Sequence, residues 1–418
     1  MYGDYITTNF EEYFHTMINR FVSLFSIPSY ALLFICMALQ GMGISLSTPF
    51  LSIYFTERLG VSIGMFGLYL AVTLIAGIWI STLIGRRSDL GLNRKSVYLF
   101  STLSNALAFS GYLFIQDFPI LFIYMTVFTA LGAPGMPQLF AISREAVIKS
   151  HFTERAFANS TLRSAFSLGF ITGPLIGTLL LAAVGFKGIF LGTIGAFLLV
   201  ALLVFLFLKT NTEIQSNHAE VKIKSFRLAQ NRDILIPFLI LILMYTAHWM
   251  SSINTALFIT NNLGGTTSDV GLVSSICAAL EIPFMIVLGL LSAKYSNRIL
   301  VLCGAIFGGA YYFVILISNA MWQMLAAQIL LAVFVAVISA IGISYIQDLL
   351  PRMPGYASTL YSNSSTIGRL LGSLVGGGVA SIVGYRYSFI FCFILIIAAV
   401  IMLTVSGRQP ADEPQIST

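Results

Sequence analysis

The chain has 418 residues, of which 57% are apolar and only 9% are charged. Soluble domains carry roughly 25% charged residues on average, so this composition excludes a water-soluble fold and predicts an integral membrane protein. The net charge of +6 is typical of the basic residues that hold loops on the inner side of a membrane, and it gives no reason to expect a nucleic-acid partner.

Apolar runs of about twenty residues recur along the sequence, and a helix of that length crosses a hydrocarbon core of roughly 30 Å. The runs are continuously apolar and too long for the tilted strands of a membrane barrel, which predicts an all-α membrane protein. We predict twelve spans, over residues 30–50, 65–84, 97–115, 119–142, 162–184, 188–208, 234–259, 271–292, 299–318, 322–346, 358–383 and 386–406.

The longest polar stretch divides these spans into two groups of six. The predicted organisation is an N-terminal extension over residues 1–29, a six-helix bundle over 30–208, a linker over 209–233, a second six-helix bundle over 234–406 and a tail over 407–418. Within the extension, residues 9–26 form either an amphipathic helix at the inner surface, with Phe10, Phe14, Phe21 and Leu24 on its apolar side, or a disordered segment.

Internal similarity favours a duplication of the six-helix unit. Two offsets, of 204 and 199 residues, bring glycines and basic residues of the first half onto the second. The matched pairs are Gly67 with Gly271, Gly85 with Gly289, Arg94 with Arg298, Gly169 with Gly368, Gly173 with Gly372 and Gly177 with Gly376. Parallel repeats of this kind build two pseudo-symmetric halves with a binding site at mid-membrane between them.

The Lys and Arg residues predict the orientation. With the amino terminus in the cytoplasm, seventeen of the 22 lie on the inner side, and Arg163 and Arg369 fall inside helices. Only Arg58, Lys187 and Arg386 lie on the outer side. Because loops rich in basic residues are retained in the cytoplasm, both termini are predicted to face it.

The sequence favours a transporter over an enzyme. It contains no metal cluster, nucleotide-binding loop or nucleophile motif, and its polar loops are too short for a soluble catalytic domain. The four cysteines, Cys36, Cys277, Cys303 and Cys392, are widely spaced, which suits buried thiols more than disulfides or a metal site. We therefore expect neither a cofactor nor a metal. We also expect a monomer, and the family resemblance given below implies that the proton motive force drives the movement of a small molecule.

The loop between the second and third spans carries a recognisable pattern, GRRSDLGLNRK over residues 85–95. It resembles the signature loop of the major facilitator superfamily, with Gly85, Asp89, Arg94 and Lys95 at the family positions. Leu90 replaces the usual basic residue, and the second glycine comes one position early. The alternative is an ordinary basic loop. An aspartate beside a helix end can pair with basic groups and latch one state of a gate.

More of the chain, from about residue 30 to 405, resembles the bacterial sugar efflux transporters. The strings that carry this resemblance are PQLFAISRE at 137–145, Leu280-Glu281-Ile282-Pro283, and Gln347-Asp348-Leu349 followed by Pro351. The resemblance implies an exporter of sugars or glycosides in a bacterial inner membrane, working by proton antiport and alternating access. A multidrug or siderophore-type exporter is the alternative if the cavity is mostly aromatic and apolar.

Charged groups inside the spans need an explanation, because each costs at least about 2.5–3.5 kcal/mol on insertion scales. Glu281, near the middle of the eighth span, is the deepest acidic residue. A carboxylate there can take up and release a proton as water access alternates, and can accept hydrogen bonds from sugar hydroxyls. A permanently neutral or helix-pairing glutamate is the alternative.

Arg163 in the fifth span and Glu145 at the end of the fourth are a second candidate pair, since a short loop could bring them together. A lactose-transporting member of the superfamily has a Glu and an Arg in comparable positions that bind sugar, and the resemblance implies the same role here. Asp348 is more suited to a gate ion pair than to substrate. Arg369 either contacts substrate or faces the aqueous cavity, and it has no evident acidic partner.

Neutral polar residues complete the candidate site. His248, Asn254, Gln40 and Asn363 are candidates to line the cavity, although a histidine satisfied by a neighbouring helix is the commoner case. Trp79, Tyr245 and Tyr361 are candidates to stack on sugar rings.

In the fifth span, Gly169, Gly173, Pro174 and Gly177 resemble the glycine-proline motif of proton-coupled exporters, and close helix packing is the alternative reading of the glycines. Thr178 replaces that motif's final glycine.

Overall fold

The computed structural model describes residues 18–61, 63–208, 228, 231–265 and 267–406. The tail, most of the linker and the extension before residue 18 lie outside this described part, and so do Phe10 and Phe14. Twelve long helical segments fill the rest. They are α1 Tyr30–Ile53, α2 Ile63–Ser88, α3 Arg94–Phe114, α4 Phe118–Lys149, α5 Arg155–Val184, α6 Phe186–Phe207, α7 Arg232–Asn262, α8 Thr267–Leu291, α9 Asn297–Ile317, α10 Met321–Leu349, α11 Pro354–Val383 and α12 Tyr385–Val405.

The twelve-helix expectation agrees with this architecture. Eleven segments within the described residues are long and apolar enough to cross a membrane, and α11, with 30 residues, is the twelfth. Three of the segments change geometry: α1 continues into a π-helical turn at Tyr54–Arg58, α4 breaks at Ala133–Pro134, and α10 contains one π-helical turn at Val337–Ile341. Such turns widen a helix locally and are frequent at functional sites.

Several helices continue beyond their apolar runs. The helix α5 begins at Arg155, seven residues before the predicted span, and α11 begins at Pro354 rather than 358. Their first turns are polar or small because they pack against protein rather than lipid, with Ala156, Asn159 and Ser358 almost fully buried. Hydropathy predicts only the segments that face lipid, so the predicted spans do not include these first turns.

Small residues let the helices inside each half approach closely. A Cβ atom at Gly169 would overlap the carbonyl of Ala38 on α1, and one at Gly173 would overlap Ser45. In the second half, Gly368 and Gly372 pack against α7 in the same way. These contacts account for both glycine series by packing, as small residues do at membrane helix interfaces.

The two halves meet most closely at one end of the bundle, which we call the latched end. It comprises the connections from α2 to α3, α4 to α5, α8 to α9 and α10 to α11. Contacts between the halves run from there to mid-bundle: Gly85 touches Thr359, Gly289 touches Ser160, and Ser164 Oγ lies 3.8 Å from Met285 Sδ. Both ends of the described chain also lie at the latched end.

The helical segment at residues 18–25 packs onto the protein at this end. Leu24 is fully buried, the ring of Phe21 lies 5.0 Å from that of Phe157, and Arg20 pairs with Glu154 at 3.2 Å. The apolar side predicted for this part of the extension therefore covers the start of α5.

Candidate functional site

Glu281 lies in α8 at mid-bundle, about 15 Å from the last residue of that helix at 1.5 Å per residue. Among the described residues it is the only acidic side chain between the two ends of the bundle. Its Oε1 accepts a hydrogen bond of 3.4 Å from Ser167 Oγ on α5. This contact joins the first half to the second, so the carboxylate lies at the interface between the halves.

Arg163 faces the same region from α5. Its guanidinium lies 4.5 Å from the centroid of the Phe166 ring, and its Nε is buried without a hydrogen-bond partner. It lies near enough to Glu281 and His248 to act on both electrostatically. Within the described residues it forms no ion pair at 4.0 Å or less. The hydrogen-bonding capacity of the Arg163 guanidinium is therefore not fully used by the described residues.

Two tyrosines, Tyr245 and Tyr361, lie close to this charged pair. Tyr245 of α7 and Tyr361 of α11 bring their hydroxyls to 2.9 Å, and they also donate to the carbonyls of Ile338 and Ser339 at 3.0 and 2.7 Å. Both carbonyls belong to the π-helical turn of α10. Since these hydroxyls are occupied by protein, the two tyrosines hold α7, α10 and α11 together beside the charged residues.

His248 and Trp249 lie on α7, three and four residues after Tyr245. Their rings lie 5.6 Å apart, and His248 also lies 6.4 Å from Phe334. His248 Nδ1 and Trp249 Nε1 are both buried and have no hydrogen-bond partner. Since a buried unpaired polar atom costs about 1–3 kcal/mol, both atoms are candidates to contact a ligand or water.

Arg369 enters the interior from α11. Its guanidinium lies 4.9 Å from the centroid of the Trp249 ring. The exposed residues Leu371 and Leu374 lie on a different side of α11, because residues two and five positions apart diverge by about 160° and about 140° around a helix. Arg369 thus faces the protein interior, and it forms no ion pair with any described residue.

The latch at the end of the bundle centres on Asp89. Its carboxylate accepts hydrogen bonds from the backbone N–H groups of Gly355 and Tyr356, at 2.9 and 2.7 Å, and from Arg94 at 2.6 Å. Arg94 also pairs with Glu145 at 2.7 Å. The first half thereby places a carboxylate on the amino-terminal turn of α11 in the second half, where the helix dipole favours negative charge.

A second set of contacts crosses the halves nearby. The almost fully buried Arg144 pairs with Asp348 at 2.6 Å, and Asn297 also donates to Asp348 at 2.6 Å. Asn159 of α5 donates to Ser344 and Gln347 of α10, both at 2.9 Å. Asp348 thus forms an ion pair between the halves, and its role in gating stays a prediction.

Some predicted residues lie elsewhere. Glu145 pairs with Arg94 and not with Arg163, because Arg163 lies eight residues inside α5 while Glu145 is near the end of α4. Trp79 is 71% exposed on the outside of the bundle and cannot stack on a molecule inside it. These two positions depend on helix rotation and depth, which the sequence does not specify.

Other predicted polar residues serve packing and helix ends. Asn254 donates to Gly376 O and Ser388 Oγ, at 3.2 and 3.0 Å, between α7, α11 and α12. Gln40 is buried and accepts from Tyr98 at 3.4 Å. Asn363 donates to Thr82 at 2.6 Å and so ties α11 to α2. Lys95 binds the last carbonyls of α6, at Phe205 and Leu208.

Asn159 and Ser167 are contact residues that the sequence reasoning did not single out. Both lie on α5, and their signal was the run of polar residues in its first half, Asn159, Ser160, Thr161, Ser164 and Ser167. Such a run inside a membrane helix indicates a side that avoids lipid.

Comparison with known proteins decides the family. The sequence profile of the Major Facilitator Superfamily matches residues 33–247 and again residues 237–418. The chain belongs to this superfamily. Consistent with the predicted duplication, the same profile matches once over each half, and membership of this superfamily makes the chain a transporter rather than an enzyme.

The superfamily members most informative for this chain are named for sugar efflux. Sugar efflux transporter C of Escherichia coli is 30% identical over 84% of this chain and 89% of its own length. Sugar efflux transporter A of Dickeya chrysanthemi is 29% identical over 87% of this chain and 92% of its own. The branch to which this major facilitator belongs is therefore that of the sugar efflux transporters.

Solved structures of the superfamily share the fold. The transporter FucP in its outward conformation has a TM-score of 0.74 at 16% identity and covers 91% of this chain and 99% of its own. A bacterial homologue of ferroportin in an outward-facing state has a TM-score of 0.70 at 15% identity, with coverages of 91% and 99%. At these identities the comparison establishes the fold.

Proposed function

We propose that this protein exports sugars or glycosides across the bacterial inner membrane in exchange for protons. The observation that carries the proposal is the position of Glu281, the only acid at mid-bundle among the described residues, hydrogen-bonded across the halves to Ser167 and close to Arg163. The names of the relatives support the substrate class and the direction. An exchanger needs one group that binds either the proton or the substrate, and Glu281 meets that need.

The chemistry follows from the states of this carboxylate. When ionised, Glu281 accepts hydrogen bonds from sugar hydroxyls while Arg163 donates to their oxygens, and both contacts are charge-assisted. When protonated, it loses acceptor capacity and its attraction to Arg163 weakens. Proton and substrate therefore compete for the site, which is the condition for antiport.

The latched end is proposed to face the cytoplasm. The described basic residues concentrate there, including Arg86, Arg87, Arg144, Lys149 and Arg155, as the positive-inside rule requires. With that orientation both termini are cytoplasmic, and the structure is an outward-facing state closed on the cytoplasmic side. Its likeness to two solved structures in outward states supports this assignment.

The positive charge of the cavity favours sugars over the lipophilic cations that many multidrug exporters handle. The described residues at mid-bundle contribute two arginines and one glutamate. A cationic drug would meet net repulsion there, whereas hydroxyl groups meet donors and an acceptor. One inward proton supplies about 2.3 kcal/mol per 100 mV of membrane potential, enough to sustain a substantial sugar gradient.

Transport in inverted membrane vesicles tests the proposal. With an imposed proton gradient, the wild-type protein should accumulate a labelled glycoside, and Glu281→Gln should abolish gradient-driven accumulation while leaving substrate exchange measurable. Glu154→Gln is the matched control, because Glu154 lies at the start of α5 and pairs with Arg20 outside the cavity. Undiminished gradient-driven accumulation in Glu281→Gln would refute the coupling role.

A further inference from the structure

We propose that Arg369 and Trp249 form a subsite for the carboxylate of an acidic sugar, so that the protein prefers monoanionic glycosides such as uronides over neutral ones. The inference rests on the proposed sugar transport and narrows its substrates. It concerns Arg369, the charged side chain at mid-bundle, among the described residues, to which the proposed proton coupling assigns no role.

The first observation is that Arg369 has no counter-charge. A cation inside a membrane protein costs several kcal/mol unless a partner or water compensates it. Among the described residues, none carries an acid close enough to act on Arg369, whereas Arg163 and Glu281 act on each other. Arg369 therefore has no acidic partner of its own in the described part of the chain, in contrast to Arg163.

The second observation is depth. Arg369 lies fifteen residues from the start of α11, and Arg163 lies eight residues from the start of α5, and both helices start at the latched end. At 1.5 Å per residue, Arg369 is about 10 Å farther from the latched end than Arg163. Arg369 therefore lies at a different level of the bundle from Arg163.

The third observation is that the polar atoms at this level are donors. Arginine has five N–H donors and no acceptor, and tryptophan has one N–H donor and no acceptor. The Trp249 Nε1 atom is buried and unpartnered, and the Arg369 guanidinium lies 4.9 Å from the centroid of the same ring. A group that only accepts hydrogen bonds satisfies this set, and a carboxylate matches a guanidinium with two parallel hydrogen bonds.

The charge balance selects a monoanion. The described part of the chain has three charged side chains between the two ends of the bundle, which are Arg163, Arg369 and Glu281. With Glu281 ionised, their net charge is +1. One carboxylate makes the cavity neutral. A phosphate dianion would leave a negative excess, and a neutral sugar would leave the arginine uncompensated.

A matched pair of ligands tests this inference. Methyl β-glucoside and methyl β-glucuronide differ only at carbon 6, which is a hydroxymethyl group in one and a carboxylate in the other. We expect the purified full chain in nanodiscs to bind the glucuronide at least about tenfold more tightly by calorimetry, in line with a charge-assisted bidentate pair. The preference should shrink at high salt because screening weakens the charge interaction.

Variants assign the preference to one residue. Arg369→Gln should reduce glucuronide affinity by about tenfold or more and leave glucoside affinity within about twofold, which also shows that the variant is folded. Arg369→Lys should keep part of the preference, since the charge remains and the planar fork is lost. Arg386→Gln should change neither affinity, because Arg386 bonds to Leu316 and Asn319 at the far end of the bundle.

The outcomes separate this inference from the proposed function. Equal wild-type affinity for both ligands, or an Arg369→Gln variant that retains the preference, would overturn the subsite and leave sugar transport standing. Binding of the glucoside alone would do the same. Failure of both ligands to bind would overturn the subsite and count against sugar transport as well.

Discussion

The Asp89 carboxylate accepts a 2.7 Å hydrogen bond from the backbone N–H of Tyr356, so an acid of the first half caps the helix α11 of the second. The adjacent N–H of Gly355 donates to the same carboxylate, and Arg94 pairs with it. A helix end normally finds its cap within its own segment. Here the cap belongs to the other half, so separating the halves at this end breaks it.

Replacing Asp89 by Asn should weaken the closed latch. The amide loses the negative charge that Arg94 and the helix end favour, and only one of its two terminal atoms can accept a hydrogen bond. We expect a cost of about 0.5–2 kcal/mol to the closed state, as for other caps. Spin labels at Leu92 and Tyr295, exposed positions at the latched end of the two halves, should show a longer and broader distance distribution.

The control for this experiment is Asp117→Asn. Asp117 also caps a helix, accepting from Ile120 N at 3.1 Å, but that cap lies at the far end of the bundle and within one half. It should leave the distances between the labels unchanged. If Asp89→Asn gave the same distribution as the wild-type chain, the cap would have no part in closing the halves.

Breaking the ion pair between Arg144 and Asp348 should cost more than removing both charges. Arg144 is almost fully buried, and Asp348 Oδ1 lies 2.6 Å from its Nη2. Asp348→Asn leaves the buried Arg144 cation without its partner and should lower the free energy of unfolding by about 1–3 kcal/mol. The double variant Arg144→Gln/Asp348→Asn leaves no charge unpaired. Thermal unfolding in detergent should therefore rank the single variant below the double variant. The reverse order would show that the pair does not compensate Arg144.

Arg163→Lys should weaken neutral glycoside binding by about tenfold. Lysine keeps the positive charge but loses the planar fork that binds two oxygens at once and lies over Phe166. Calorimetry with methyl β-glucoside measures the change, and Arg155→Lys, at the start of the same helix, is the matched control. Equal affinity in the Arg163→Lys and wild-type proteins would exclude bidentate binding of sugar by Arg163.

Gly169→Ala should destabilise the first half. The added methyl group would overlap the carbonyl of Ala38 and approach the backbone of Met42, and neither can move without shifting α1. Such overpacking costs about 1–3 kcal/mol or more, and the yield of monodisperse protein should fall. Gly195→Ala on α6, where a Cβ meets nothing within 4 Å, is the control and should be tolerated. Normal yield and melting temperature in Gly169→Ala would show that α1 and α5 can separate.

The sequence by itself determined the membrane class, the twelve helices and their division into two groups of six. These features follow from composition and from runs of apolar residues, because the cost of placing polar groups in lipid acts on each segment separately. It also identified Glu281, Arg163 and Asp89 as chemically significant. Glu281 and Arg163 are charges inside apolar runs, and such charges need a reason wherever their neighbours lie. Asp89 lies in a loop whose pattern resembles a family signature, so none of the three required knowledge of the packing.

Only the tertiary structure decided which of these charges meet. Arg94, rather than Arg163, became the partner of Glu145, and Asn254 and Gln40 became packing residues, because the rotation and depth of each helix determine its contacts. The cap of α11 by Asp89 joins residues more than 260 positions apart, which no local pattern can indicate. The interpretation of Arg369 changed most. The sequence left its role undecided, and the fold placed it over Trp249 with no counter-charge in the described residues.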